Sequence, residues 1–228
     1  MQKLKTVMAS AILFLGAGSQ AFAQAQEQTT QNTNAQAPTL NSCDIELWVA
    51  KKYGYEGSSG GGQLAFGLLG ALVEAAANKK GDAEKKSEMM EIIPPEFIKD
   101  VFLSTDLTTR LKKDAVQVNY HELSDSKDEI NALLFAKKRS TENTNECYYE
   151  VYVKSIASSK YMENKNLSVV FKLKRFSGQI PMKVENETRN ENLTIFPTKD
   201  DGKKGEAADD LRRAFRATVS GFIEKRFN

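Results

Sequence analysis

The segment CYYEVYVKSI, residues 147–156, and its neighbour LSVVFKLKRF, residues 167–176, decide how this chain is built. In the first, Tyr149, Val151 and Val153 occupy every second position; in the second, Leu167, Val169, Phe171 and Leu173 do the same. A period of two puts those side chains on one face of a β-strand. It sets Lys172 and Lys174 on the other face, which the pattern predicts to meet solvent. Downstream, residues 180–184 and 193–196 read as two short strands, the second closed by Pro197, and residues 198–205 as a charged loop. Residues 206–227 then space Leu211, Phe215, Phe222 and Ile223 along one side of an amphipathic helix.

Upstream of the quoted strands, Val116, Val118 and Tyr120 alternate with Gln117, Asn119 and His121, predicting another strand from Ala115. The apolar run at residues 130–136 suits a strand or a helix, and strand is the reading taken. Pro94-Pro95 fits the first turn of a helix, where a missing amide proton costs little. Phe97, Ile98, Val101 and Phe102 give that helix its apolar face. A shorter helical piece at residues 107–112 would take Ser104 or Thr105 as its cap. Residues 78–91 are charged and read as a loop. Ile45, Leu47 and Val49 mark a strand over residues 44–53.

Between that strand and the charged loop lies GSSGGG, residues 57–62, followed by a segment of helical composition at residues 63–80. Leu64, Phe66, Leu68, Leu69, Leu72 and Val73 surround nearly its whole circumference, so such a helix must be buried on all sides. Gly67, Ala71 and Ala75 recur every four residues with Gly70 beside them, a small-residue stripe that permits close backbone approach. This stripe is the candidate association face, with an ordinary core helix as the alternative. The run contains Glu74 and is short for a membrane span.

The order is therefore strand, buried helix, helix, several strands and a final helix. It predicts an α+β fold in which a mixed or mainly antiparallel sheet of about five strands packs against two to four helices. In element order alone it resembles the small α/β domains of several bacterial envelope proteins, among them the N-terminal domain of TolB and the curli secretion lipoprotein. That likeness carries no residue roles across.

Residues 1–23 read as a secretory signal peptide: Lys3 and Lys5, an apolar core over residues 7–17, then Ala21-Phe22-Ala23. Cleavage is expected between Ala23 and Gln24. Residues 24–42, rich in Gln, Asn, Thr and Ala, predict a disordered leader, and residues 43–228 a single globular domain. Cys43 stands too far from the apolar core to be a lipid-attachment cysteine. The precursor carries 32 basic and 30 acidic side chains, and the signal holds two lysines and no acid, so the exported part balances. Neutrality gives no charge-based reason to expect binding to nucleic acid or to an anionic membrane. The expected location is the periplasm or beyond, with no transmembrane span in the mature chain.

Cys43 and Cys147 are the two cysteines. In an oxidising compartment they predict one disulfide, each cysteine opening a strand. Closing so long a loop would stabilise by about 4–5 kcal/mol in the chain-entropy model. One histidine, His121, excludes a histidine-rich metal site within the chain and leaves no cofactor motif to serve. It reads as a solvated strand residue, or as a general base if an acid orients it. Ser124-Asp125-Ser126-Lys127 matches Ser-x-x-Lys without the companion motifs of the enzymes that use it, and reads as chance. The glycine-rich loop fits neither nucleotide-binding pattern. No catalytic residue is assigned. The chain reads as an exported non-enzymatic protein that binds an envelope protein or itself; the alternatives are a small-ligand carrier or sensor and a carboxylate-based hydrolase.

Overall fold

The computed structural model describes residues 41–51, 53–56, 79–161 and 163–227. The signal segment with its Ala23/Gln24 boundary, the leader up to residue 40, and the stripe of Gly67, Gly70, Ala71 and Ala75 lie outside the described residues. What is described is an α+β fold built on one mixed sheet.

The sheet runs in the order β3 (Ala115–Glu122), β1 (Ser42–Val49), β4 (Tyr148–Tyr161), β5 (Asn164–Ser177), β6 (Ile180–Leu193). β1 lies parallel to both β3 and β4, whereas β4, β5 and β6 form an antiparallel meander. The short β2 (Tyr53–Glu56) continues alongside β4 beyond the end of β1, so the two strands pair successive stretches of β4. Cys43, one residue before Asp44 pairs with Tyr148, is bonded to Cys147 and ties the starts of β1 and β4.

One face of the sheet carries Ile45, Leu47, Val118, Val151, Val153, Val169, Phe171 and Leu173, all in the main core. Four helices supply the opposing side: α1 (Lys79–Ile92), α2 (Pro95–Leu103), α3 (Leu107–Leu111) and α5 (Lys204–Arg226). The last contributes Leu211, Phe215, Val219, Phe222 and Ile223, with Phe222 stacked on Phe171 at 4.3 Å between ring centres. Spacing of three and four residues puts them on one helical stripe, as the periodicity predicts. α2 begins with Pro95 at its first position. α3 is capped by Asp106, which accepts from the Thr109 amide, and not by Ser104 or Thr105. Those two hydroxyls instead donate back to the carbonyls of Val101 and Phe102 at the end of α2.

Three sequence expectations give way. Residues 79–92 are helical because Ala, Glu, Lys and Met favour that state, and Met89 and Ile92 reach the core although the charged majority hides the stripe. Residues 130–136 belong to a helix, α4 (Lys127–Phe135), whose Ser126 hydroxyl caps the Glu129 amide. Its Ile130, Leu133 and Leu134 follow helical spacing onto Leu123, Tyr152 and Trp48, a small second core on the other face of the sheet. Finally, residues 180–184 and 193–196 are not two short strands. β6 is continuous from Ile180 to Leu193 because its polar middle is held by charge: Glu187 and Glu185 take the Arg226 guanidinium, and Arg189 donates to the Gly221 carbonyl on α5.

Candidate functional site

The face of the sheet beneath α4 holds the polar residues that alternation turned away from the main core, and they are not solvated. Lys174 is closed to water and lies 3.3 Å from Glu150, which is equally buried. Its ammonium also donates to the carbonyls of Leu133 and Ala136 at the end of α4, and Lys172 donates to that of Leu134. Two cations thus meet the carbonyl end of a helix, where its dipole favours positive charge. The expectation that Lys172 and Lys174 face solvent fails because alternation assigns a side chain to a face without saying whether a helix covers that face.

Glu150 is the hub of this layer. It accepts from the Ser140 amide at 2.6 Å, from Tyr152 Oη at 2.6 Å and from Tyr148 Oη at 3.2 Å. Burial pushes the Lys172 ammonium down to about 8, with Lys174 and Lys154 adding repulsion. Burial also lowers Lys174, outweighing the pull of Glu150. It lifts the phenols in the opposite sense: Tyr148 rises to about 12, and Tyr152 rises further with Glu150 beside it. In each case the uncharged form is the one a dry site favours.

At the β3 side of the same face, His121 Nε2 is 2.5 Å from Glu46 Oε2, and Asn119 Nδ2 donates to the other oxygen of Glu46. The imidazole stacks on Trp48 at 4.3 Å. His121 is therefore a paired and stacked ring, not a freely solvated one, and it has the orienting acid that a general base would need. Glu46, Trp48 and Asn119 supply orientation and stacking, and none of them is a nucleophile. In the Ser-x-x-Lys stretch, Ser126 caps α4 and Ser124 Oγ accepts from the Ser126 amide, so both hydroxyls serve the helix start.

Sequence reasoning passed over the end of the β5–β6 hairpin. Ile180, Met182 and Val184 are 69%, 71% and 47% exposed, and Phe135 at the end of α4 is 53% exposed. These are four of the six large hydrophobic residues exposed in the described part of the chain. The turn is Gly178-Gln179, with Gly178 at φ 60°, a conformation that favours glycine. Arg139 Nε donates to the Gly178 carbonyl at 2.7 Å and its guanidinium lies 4.4 Å from the Tyr148 ring, which brings the segment after α4 beside the turn. Lys172 Nζ sits 4.8 Å from the Phe135 ring. The signal that could have found this region was the apolar alternation of Ile180, Met182 and Val184 in a strand whose polar remainder gives it no second neighbour.

Elsewhere, α2 and β3 border a groove of about 410 Å3 lined by Pro95, Glu96, Lys99, Val118, Asn119 and Tyr120. Among the described residues, no group of three or more His, Cys, Asp or Glu side chains is placed to hold a metal ion, and no helix is long and apolar enough to cross a membrane.

No protein-family model matches the chain, and no curated protein matches it. Among solved structures, protein XCC0632 from Xanthomonas campestris, of the DUF330 family, is similar over 83% of this chain and 87% of its own, with 10% identity and a TM-score of 0.36. The hypothetical protein CT253 from Chlamydia trachomatis is similar over 81% of this chain and 99% of its own, with 12% identity and a TM-score of 0.31. A proposed homologue of a neuraminyllactose-binding hemagglutinin from Helicobacter pylori covers 83% of this chain and 84% of its own, with 10% identity and a TM-score of 0.31. TM-scores this low do not establish a common fold.

Proposed function

We propose that this is an exported, non-catalytic binding protein that meets another component of the cell envelope through the end of its β5–β6 hairpin. The observation that carries the reading is the grouping of Ile180, Met182, Val184 and Phe135 in the open at one end of the sheet. Exposed apolar side chains gathered in one region, rather than scattered singly, mark an interaction site. The Cys43–Cys147 disulfide supports an oxidising compartment, in keeping with the signal-like residues 1–23. The buried Glu150 layer supports a scaffolding role: its charges are spent on each other and on the end of α4, which leaves them closed to a substrate.

A photoreactive amino acid placed at position 182 tests this in living cells. Illumination should attach the protein to an envelope component, protein or lipid, whereas the same probe at the exposed Lys203, by the far end of β6, should not. Equal yields at the two positions, or none at 182, would refute the reading.

A further inference from the structure

The geometry points to the end of the β5–β6 hairpin, together with the lysines beside it, as a docking site for an anionic phospholipid bilayer surface. The inference rests on the reading above that this end meets an envelope component, and it names that component.

The first argument is shape. The register between β5 and β6 shifts at Arg175/Phe176 and passes over Met182. Ile180 pairs with Ser177 and Val184 with Lys174, positions of opposite parity on β5. Cross-strand partners share a face, so Ile180 and Val184 project from opposite faces of the hairpin. A rigid protein partner would cover one face of such an end and leave the other wet. A lipid interface is soft and closes around both.

The second argument is charge. Residues 135–139 and 172–184 contain Lys137, Lys138, Arg139, Lys172, Lys174, Arg175 and Lys183, and no Asp or Glu. The Arg139 bond to Gly178 and the Lys174 bonds to Leu133 and Ala136 hold these two segments side by side. Much of this charge is buried or answered: Arg139, Lys172 and Lys174 are closed to water, Glu150 faces Lys174, and Glu185 lies 3.1 Å from Lys183 and 3.8 Å from Arg175. Lys137 and Lys138 are exposed beside the apolar end. Over residues 24–228 the two signs balance, so this is a local asymmetry and not a general one. Aliphatic and aromatic groups flanked by lysines match an interface whose outer layer is anionic and whose inner layer is hydrocarbon. Lysine stems can lie along the apolar surface while their ammonium groups stay with the phosphates.

The test is flotation of the exported, processed protein with vesicles of phosphatidylcholine alone and of phosphatidylcholine with roughly 30% phosphatidylglycerol. Binding is expected to the anionic vesicles only and should fall about tenfold or more when salt rises from roughly 0.1 to 0.5 M. Met182→Glu, and separately Lys137→Glu/Lys138→Glu, should each lower the partition coefficient about tenfold or more. The control Lys203→Glu/Lys204→Glu should leave it within about twofold. All the substituted side chains are exposed, and unchanged thermal melts will show that the fold is kept. Equal binding to neutral vesicles, no binding to anionic ones, indifference to Met182→Glu, or an equal loss in the control would overturn the inference. If vesicles fail but a probe at position 182 attaches to another envelope protein, the lipid assignment falls and the broader reading stands; attachment to a second copy alone overturns both. If both fail, both fall.

Discussion

The Lys174 ammonium lies 3.3 Å from the Glu150 carboxylate, with both side chains almost wholly out of contact with water. An ion pair in that setting is costly to break from one side, because the surviving charge is left without its partner. Lys174→Met should destabilise by about 3–5 kcal/mol in urea unfolding. Adding Glu150→Gln should recover most of that loss, because neither charge of the pair remains, the amide oxygen can keep the Ser140 bond, and the amide nitrogen can donate to the Tyr152 hydroxyl. Strictly additive losses in the double-mutant cycle would show that the two groups act independently.

The buried amines and phenols under α4 set an alkaline stability profile with two limbs. Lys172 releases its proton near 8 when folded and near 10.5 when unfolded, so the unfolded chain holds more protons between those values. Stability should therefore rise with pH across that interval, and Lys174, also lowered, adds to it. The phenols act in the other direction. Tyr148 under α4, and Tyr120 on the opposite face, stay protonated to about 12 when folded but ionise near 10 when unfolded, so stability should fall above that point. A melting temperature that climbs from pH 8 and turns over beyond 10 is the expected trace, and Lys172→Met should flatten its rising limb.

Asp210 governs the acid side. Burial works to raise its pKa, but the Arg213 guanidinium and the amides of Ile195, Phe196 and Thr194 outweigh that and hold it below the usual carboxylate range. The Oδ2 atom accepts from Thr194 and Ile195 at 2.8 Å and from Phe196 at 3.1 Å, fastening the start of α5 to the end of β6. A depressed folded-state pKa gives stability that is complete above the unfolded value, near 3.8, and lost as pH falls through the folded one. Asp210→Asn should cost about 2–3 kcal/mol at neutral pH, mostly from weakened bonds to three backbone amides. It should also make unfolding less sensitive to acid. An unchanged acid midpoint would contradict this.

The Cys43–Cys147 bond closes a separation of 104 residues. Cys43→Ser/Cys147→Ser, or full reduction, should lower stability by about 4–5 kcal/mol in the chain-entropy model. Protein recovered after export should begin at Gln24 and carry no titratable thiol. A Met1 terminus with two free sulfurs would contradict the exported assignment.

The parts of the fold that the sequence disclosed are those where burial is one-sided. Val151, Phe171 and Val118 alternate cleanly because their strands turn one apolar face to the helices. Leu211 and Phe222 repeat at helical spacing for the same reason. The signal was lost where polar residues do structural work. The middle of β6 carries no strand periodicity because Glu185, Glu187 and Arg189 replace hydrophobic contacts with ion pairs to each other and to α5. Lys172 and Lys174 read as surface residues because nothing in their spacing reports the helix above them. For α4 the decisive marks were small, Ser126 followed by Asp128 and Glu129, a cap and an acidic first turn beside an apolar run that either structure could use. His121 was placed on the correct face, but its pairing with Glu46 joins residues 75 positions apart and could not be read from spacing.

The cluster under α4 is separate from the main core, and the helix is fastened largely by lysine tips gripping its last carbonyls. Such a clasp can release without disturbing the stacking of Phe171 on Phe222 across the sheet. Backbone amides in α4 should then exchange with deuterium at a lower opening energy than those of β5 or α5.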